Sequence, residues 1–153
     1  MSDTWHVMVA SSDLGIRRSL MSILEQQGVG AFCASNVNQC SEILEQQDVG
    51  LVFCERSFAD GDYRDVLAAT AQRKPGAKAR VVLLSALADR GQYQTAKEHG
   101  VFEVISAACR PTDVEWMVIQ ARRDEQKQAG ALLASRAAGA AGVIRQRSHS
   151  AGA

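Results

Sequence analysis

The feature that most constrains the fold is a regular alternation of short apolar runs with segments of helical spacing, repeated five times. The apolar runs are four to six residues long and lie at 6–10, 31–34, 49–54, 80–85 and 101–106. They show no polar face, which is typical of strands that helices cover on both sides of a sheet. The pattern therefore predicts an α/β fold, a doubly wound, five-stranded parallel sheet of the flavodoxin-like kind with β-α repeated five times.

The segments between the runs carry helix-start and helix-stop residues. Ser12 or Asp13 suits the N-cap of the first helix, and Ser35 or Asn36 that of the second. Gly28 and the segment "KPG" at 74–76 are expected to end the first and third helices, and a weak fourth helix is expected near 89–99. Pro111 suits the first turn of the last helix, whose inward positions are Val114, Met117, Val118 and Ala121.

Composition excludes several classes of protein. The formal net charge is zero, so charge alone gives no reason to expect binding to nucleic acid or to an anionic membrane. No apolar run approaches the ~20 residues of a membrane span, and the N-terminus lacks the features of a signal peptide. We therefore expect a cytoplasmic protein without a membrane segment.

The four cysteines have no spacing suited to zinc. Cys33, Cys40 and Cys54 lie in apolar or amphipathic runs and are predicted to be reduced, buried thiols. Cys109 lies in a predicted loop, which makes it the cysteine most open to reaction, although nothing near it indicates a lowered pKa.

Polar side chains follow the strands at one edge of the predicted sheet. In such folds the ligand crevice lies outside the carboxyl ends of the strands. Glu55 directly follows the third strand and faces this edge, and its neighbours there are expected to be Ser11, Ser12, Asp13, Ser85 and residues 106–109.

Several segments resemble, in order and spacing, the receiver domain of bacterial response regulators. They are "SSDLGIRRSLMSILEQQG", "GLVFCERSFADGDYRDVL", "RVVLLSA" and "EHGVFEVISAACRPTDVEWM", and the resemblance covers roughly residues 5–126. It implies a site with an acidic pair that holds Mg²⁺ and an Asp that accepts a phosphoryl group from a histidine kinase. It also implies a Thr or Ser and a Lys that bind this group, and an aromatic residue that reports the switch.

Most of these roles fall on residues of another type in this chain. The loop "ADGD" at 59–62 matches the family's "PDGD" and sets the register. The hydroxyl is the one role retained in type. By resemblance, the acidic pair falls on Ser11 and Ser12, the phosphoacceptor on Glu55, the hydroxyl on Ser85, the Lys on Ala107 and the switch aromatic on Val104.

These changes predict a degenerate phosphorylation site. Two hydroxyls stand where Mg²⁺ prefers carboxylates, and Asp13 lies one residue past the acidic pair, so metal binding is expected to be weak or absent and no cofactor is expected. Two interpretations of Glu55 stay open. It biases the domain toward one switch state by bonding Ser85 or nearby backbone, or it is a partly solvated acid with no switching role.

A second stripe on the last helix predicts an interaction surface. Trp116, Ile119 and Arg123 lie opposite the inward positions and should face water. This composition is typical of interface hot spots. By resemblance, the face built by helix four, strand five and helix five would bind a histidine kinase or an output protein, or form a homodimer.

We therefore predict a receiver-like domain at 1–126 and an Ala/Gly-rich tail at 127–153 that is partly helical or disordered. The predicted function is a phosphorylation-independent pseudo-receiver in two-component signalling, acting by protein contacts. The alternatives are a phosphoacceptor with an atypical site and a small-molecule sensor that uses the emptied pocket. An enzyme is not expected, because no nucleophile–base pair, P-loop or GxGxxG is present.

Overall fold

A computed structural model describes residues 5–72, 79–86 and 90–151 of the chain. The chain divides into two compact units, Met1–Ala121 and Arg122–Ala153. The first contains the sheet and the second belongs to the last helix. The expected boundary after residue 126 stays a prediction.

The first unit is built on a five-stranded parallel sheet. The sheet order is β2-β1-β3-β6-β7, and every neighbouring pair is parallel. This is the flavodoxin-like order, with its switch point between β1 and β3, and it confirms the predicted fold class. The sheet strands are β1 His6–Ala10, β2 Ala31–Ala34, β3 Val49–Glu55, β6 Arg80–Ser85 and β7 Glu103–Ser106.

Over the residues that the structure describes, five helices alternate with these strands, and a small hairpin follows β3. The hairpin pairs β4 Ser57–Phe58 with β5 Gly61–Asp62 in antiparallel fashion, and the sequence analysis did not predict it. The predicted end of the third helix at 74–76 lies outside the described residues. The helices are α1 Leu14–Gln26, α2 Val37–Gln46, α3 Tyr63–Ala71, α4 Arg90–Glu98 and α5 Pro111–Ala151.

Strand predictions were accurate to within two residues. The bounds of β1, β2 and β6 are as predicted, and β3 runs one residue further, to Glu55. The last strand begins at Glu103, so the expectation that it starts at residue 101 was wrong. Val101 is instead buried ahead of the strand, where its apolar side chain extends the hydrophobic run without joining the ladder.

Two apolar clusters cover the two faces of the sheet. On β1, Val7 and Val9 point to the cluster that contains α1 and the start of α5, whereas Met8 and Ala10 point to the cluster that contains α2 and α3. This alternation follows from the two-residue period of a strand. The four predicted inward positions of the last helix are all buried: Val114, Met117, Val118 and Ala121.

The burial of each cysteine depends on its place in the fold. Cys40 and Cys54 are buried as predicted, and burial raises the pKa of the Cys40 thiol to about 12 and that of Cys54 well above its usual value. Cys33 is exposed, so the prediction that it is buried was wrong. The reason is that β2 is an edge strand, whose outer positions are less completely covered.

In the second unit, α5 continues to Ala151. Arg123 and Leu133 are exposed there. No helix in the described part of the chain is long and apolar enough to span a membrane.

Candidate functional site

The carboxylate of Glu55 is held by the turn between β1 and α1. Glu55 Oε2 accepts three hydrogen bonds, from the Ser12 backbone N–H at 2.8 Å, from Ser12 Oγ at 3.0 Å and from Ser11 Oγ at 3.1 Å. Because β1 and β3 are neighbours in the sheet, this oxygen joins the ends of two adjacent strands. The hydroxyls of Ser11 and Ser12, which stand at the acidic pair in the resemblance, are therefore two of the three donors to Glu55.

Further hydrogen bonds fix the geometry of this turn. Ser11 is fully buried, and its Oγ also accepts a hydrogen bond from the Asp13 N–H at 3.0 Å. The Arg17 guanidinium donates to the Ser11 carbonyl oxygen at 2.6 Å. One serine hydroxyl thus serves as donor to Glu55 and as acceptor for the backbone that begins α1.

The Asp13 carboxylate is hydrogen-bonded to the first turn of the helix that follows it. Its side chain accepts from the Ile16 N–H at 3.0 Å, which makes it the N-cap of α1. This is one of the two caps predicted from the sequence. An N-cap carboxylate satisfies backbone donors that otherwise have no partner, so Asp13 has a structural role at the position nearest to the missing acidic pair.

These residues do not fit a magnesium site. Mg²⁺ requires near-octahedral oxygen coordination and is bound in proteins through carboxylates. The two carboxylates of the β1–α1 turn and the end of β3 are already engaged, since Asp13 caps α1 and Glu55 Oε2 accepts three donors. Over residues 5–72, 79–86 and 90–151, no group of three or more His, Cys, Asp or Glu side chains is placed to hold a metal ion.

Two acids in the loop after β3, Asp60 and Asp62, cap the N-termini of two helices. Asp60 accepts from the N–H groups of Val37 and Asn38 at 2.9 and 3.0 Å, so it caps α2 from a distance. Asp62 is the N-cap of α3 and forms a capping box with Asp65. The hydrogen bonds from Val37 and Asn38 lower the pKa of Asp60, and the Arg64 side chain, which donates to Asp62 at 2.7 Å, is the main cause that lowers the pKa of Asp62. Both loop acids act as helix caps.

A cavity of about 590 Å³ has Glu55 in its lining. It extends from the end of β3, past the end of β6, to α4. Val104 and Ala107, which replace the switch aromatic and the Lys in the resemblance, are both in its lining. The polar side chains that line it include Glu55, Ser85, Gln92 and Thr95.

The structure separates the predicted site residues into two groups. Ser11 and Ser12 bond Glu55, whereas Ser85, Val104 and Ala107 meet Glu55 around the cavity. The Glu55 carboxylate bonds the Ser12 backbone, one of the two partners anticipated.

The α4 residues of the cavity and the pair formed by Tyr63 and His99 were not predicted from the sequence. The Tyr63 hydroxyl lies 2.7 Å from His99 Nδ1, and Tyr63 also lines the cavity. No local sequence signal indicates that residues 36 positions apart meet. Cys109 is partly buried and burial raises its pKa, whereas Cys33 is exposed, so the expectation that Cys109 is the cysteine most open to reaction was wrong.

Comparison with solved structures identifies the fold. A response regulator receiver domain protein (CheY-like) from Methanospirillum hungatei JF-1 superposes with a TM-score of 0.72 at 17% identity, over 82% of this chain and 99% of that chain. A signal receiver domain of an HD domain-containing protein from Pseudomonas fluorescens Pf-5 gives 0.73 at 18% identity, over 84% and 94%. This chain has the CheY-like receiver fold.

A two-component response regulator from Clostridium difficile has the same receiver fold, with a TM-score of 0.67 at 16% identity over 79% of this chain and 97% of that chain. No protein-family model matches the sequence, and no curated protein matches it. At these identities the likeness establishes the receiver fold and leaves the chemistry of the site to be argued from the residues themselves.

Proposed function

We propose that this chain is a pseudo-receiver of two-component signalling, which acts by protein contacts and is not regulated by phosphorylation of Glu55. The observation that carries the proposal is the set of three donors from Ser11 and Ser12 on Glu55 Oε2. A phosphoryl acceptor must be free to orient its carboxylate toward the incoming group, whereas three donors from the β1–α1 turn hold Oε2 and fix the orientation of this carboxylate.

The electrostatics of the site support the same conclusion. Phosphoryl transfer depends on positive charge placed around the transferring group, from a metal ion or a basic side chain. Here the residues do not fit Mg²⁺, and Ala107 occupies the position of the Lys in the resemblance. Glu55 also carries its carboxylate on an arm one methylene longer than that of Asp.

The test is phosphorylation from a small donor. We expect that the wild-type chain incubated with acetyl phosphate and Mg²⁺ shows no phosphorylated species in intact-mass spectra, while a phosphorylatable receiver domain in the same reaction does. Beryllofluoride with Mg²⁺ should likewise leave the amide NMR signals of Ser12, Glu55 and Ser85 unshifted. Phosphate uptake that disappears in Glu55→Ala would establish the atypical phosphoacceptor instead.

An exposed apolar pair on α5 is the proposed contact surface. Trp116 is 54% exposed and Ile119 is 37% exposed, and both belong to the first unit; we call this pair the Trp116 surface. The third residue of the predicted stripe, Arg123, is exposed within the second unit. Large aromatic side chains are over-represented among residues that dominate binding energy, which supports a protein partner or a second copy of this chain.

Self-association through the Trp116 surface can be measured on the chain alone. We expect Trp116→Ala to weaken self-association in sedimentation velocity, and to change the free energy of unfolding by less than about 0.5 kcal/mol because the side chain is exposed. Leu133→Ala, at a 65% exposed position of the second unit, is the matched control. A wild-type chain that stays monomeric at millimolar concentration contradicts self-association through this surface.

A further inference from the structure

We infer that the cavity beneath α4 is a binding site for a small organic molecule that carries a protonated amine on an apolar body. This goes beyond the proposed function, which requires neither a ligand nor a cavity. The inference rests on three observations: the size of the cavity, the composition of its lining and the unused oxygen of Glu55.

The size and lining are those of a small-molecule site. A volume of about 590 Å³ lies within the range of roughly 300–1,000 Å³ that is usual for such sites. Apolar side chains, including Leu83, Leu84 and Val104, supply much of the wall. Ligand pockets are typically apolar with a few polar groups that orient the ligand. Polar side chains in this lining include Gln92 and Thr95, whose hydroxyl donates to the Gly91 carbonyl oxygen at 2.9 Å.

The cavity exists because two side chains are small. Val104 lies on β7, Ala107 is the first residue after that strand, and both line the cavity. In the resemblance these positions carry an aromatic residue and a Lys, each much larger than the residue found here. A larger side chain at position 104 would therefore fill space that is now open next to Leu83 and Tyr63.

Glu55 sets the expected charge of the ligand. All three donors from the β1–α1 turn converge on Oε2, and within the described part of the chain Oε1 accepts no hydrogen bond. A partly buried carboxylate with one open acceptor favours a charge-assisted hydrogen bond from a cationic donor. Arg56 also lines the cavity, which makes carboxylate analogues the necessary comparison.

The experiment uses the full chain and a defined set of probes. Benzylamine, phenethylamine, cyclohexylamine and tryptamine are titrated into ¹⁵N-labelled protein, with benzyl alcohol and phenylacetate as neutral and anionic analogues. We expect saturable shifts of the amides of Ser85, Gly91, Gln92 and Val104 with at least one amine. We expect the neutral and anionic analogues to bind about tenfold more weakly.

Two variants test the position and the charge separately. Val104→Phe fills the cavity and should abolish the saturable shifts, whereas Leu133→Phe adds the same ring in the second unit and should leave them unchanged. Glu55→Gln keeps the shape of the side chain and should weaken amine binding about tenfold. It serves as the test if Val104→Phe does not fold.

Three results would overturn the inference. They are the absence of saturable shifts with every amine, equal binding of the carboxylate analogues, and binding that survives in a folded Val104→Phe variant. A failure of this kind leaves the proposed function intact, because phosphate uptake at Glu55 is measured by mass and not by amine binding.

Discussion

Ser11→Asp should destabilise the first unit by about 3 kcal/mol at neutral pH. Ser11 is fully buried, and its hydroxyl lies 3.1 Å from Glu55 Oε2. A carboxylate there replaces a donor to Glu55 with a second negative charge at close range. Buried like charges that cannot separate are among the most costly arrangements in a protein interior.

The loss of stability in Ser11→Asp should depend on pH, and the pKa of the two carboxylates determines the direction. Two neighbouring carboxylates raise the pKa of one of them in the folded state above its unfolded value of about 4. The folded variant therefore gains relative stability as the pH falls through the raised pKa, and the deficit at neutral pH shrinks toward pH ~4. Urea unfolding at a series of pH values measures the deficit directly.

Ser11→Asn is the matched control for charge. Its side chain has nearly the shape of Asp and can donate a hydrogen bond to Glu55, so we expect a smaller loss without this pH dependence. If Ser11→Asp and Ser11→Asn were equally unstable at every pH, the cost would come from the volume of the side chain. In that case the hydroxyl would not be essential to the Glu55 carboxylate.

The fold was predictable because it depends on patterns that are local in the sequence. Apolar runs such as 80–85 coincide with their strands to the residue, since buried parallel strands need apolar side chains on both faces. Asp13 and Pro111 begin helices as expected because capping depends on a few neighbouring residues. The placement of Glu55 at the functional edge followed from topology.

The rest depended on contacts that the sequence pattern does not encode. Cys33 is exposed because β2 lies at an edge of the sheet, and strand order is a global property. The β4–β5 hairpin pairs two residues on each side, which is too short to give an alternation. The choice of Ser11 and Ser12 as partners of Glu55, and the cavity left by Val104, arise from side-chain packing between distant segments.

The structure also narrows the two interpretations of Glu55 to a testable choice. Its hydrogen bonds go to the β1–α1 turn, on the side of β3 away from β6 and β7. A residue that biases a switch must contact the element that moves. We therefore expect Glu55 to link β1 and β3 by hydrogen bonds without changing the conformation of β7 or α5.

Glu55→Ala tests this role. We expect a loss of about 2 kcal/mol in the free energy of unfolding, because three hydrogen bonds to a charged acceptor disappear together. Glu55→Gln keeps one acceptor oxygen and should lose roughly half as much. Urea unfolding gives both values.

Amide NMR spectra of the same variants distinguish a local structural role of Glu55 from a role in switching. A local role predicts large shifts at Ser12 and in the first turn of α1, where a backbone donor loses its acceptor, and small shifts in β7 and α5. Shifts of comparable size in β7 and around Trp116 would show that Glu55 does influence the conformation of the Trp116 surface. Because the Ser12 N–H bonds Glu55 at 2.8 Å, its own shift reports whether that contact is present in solution.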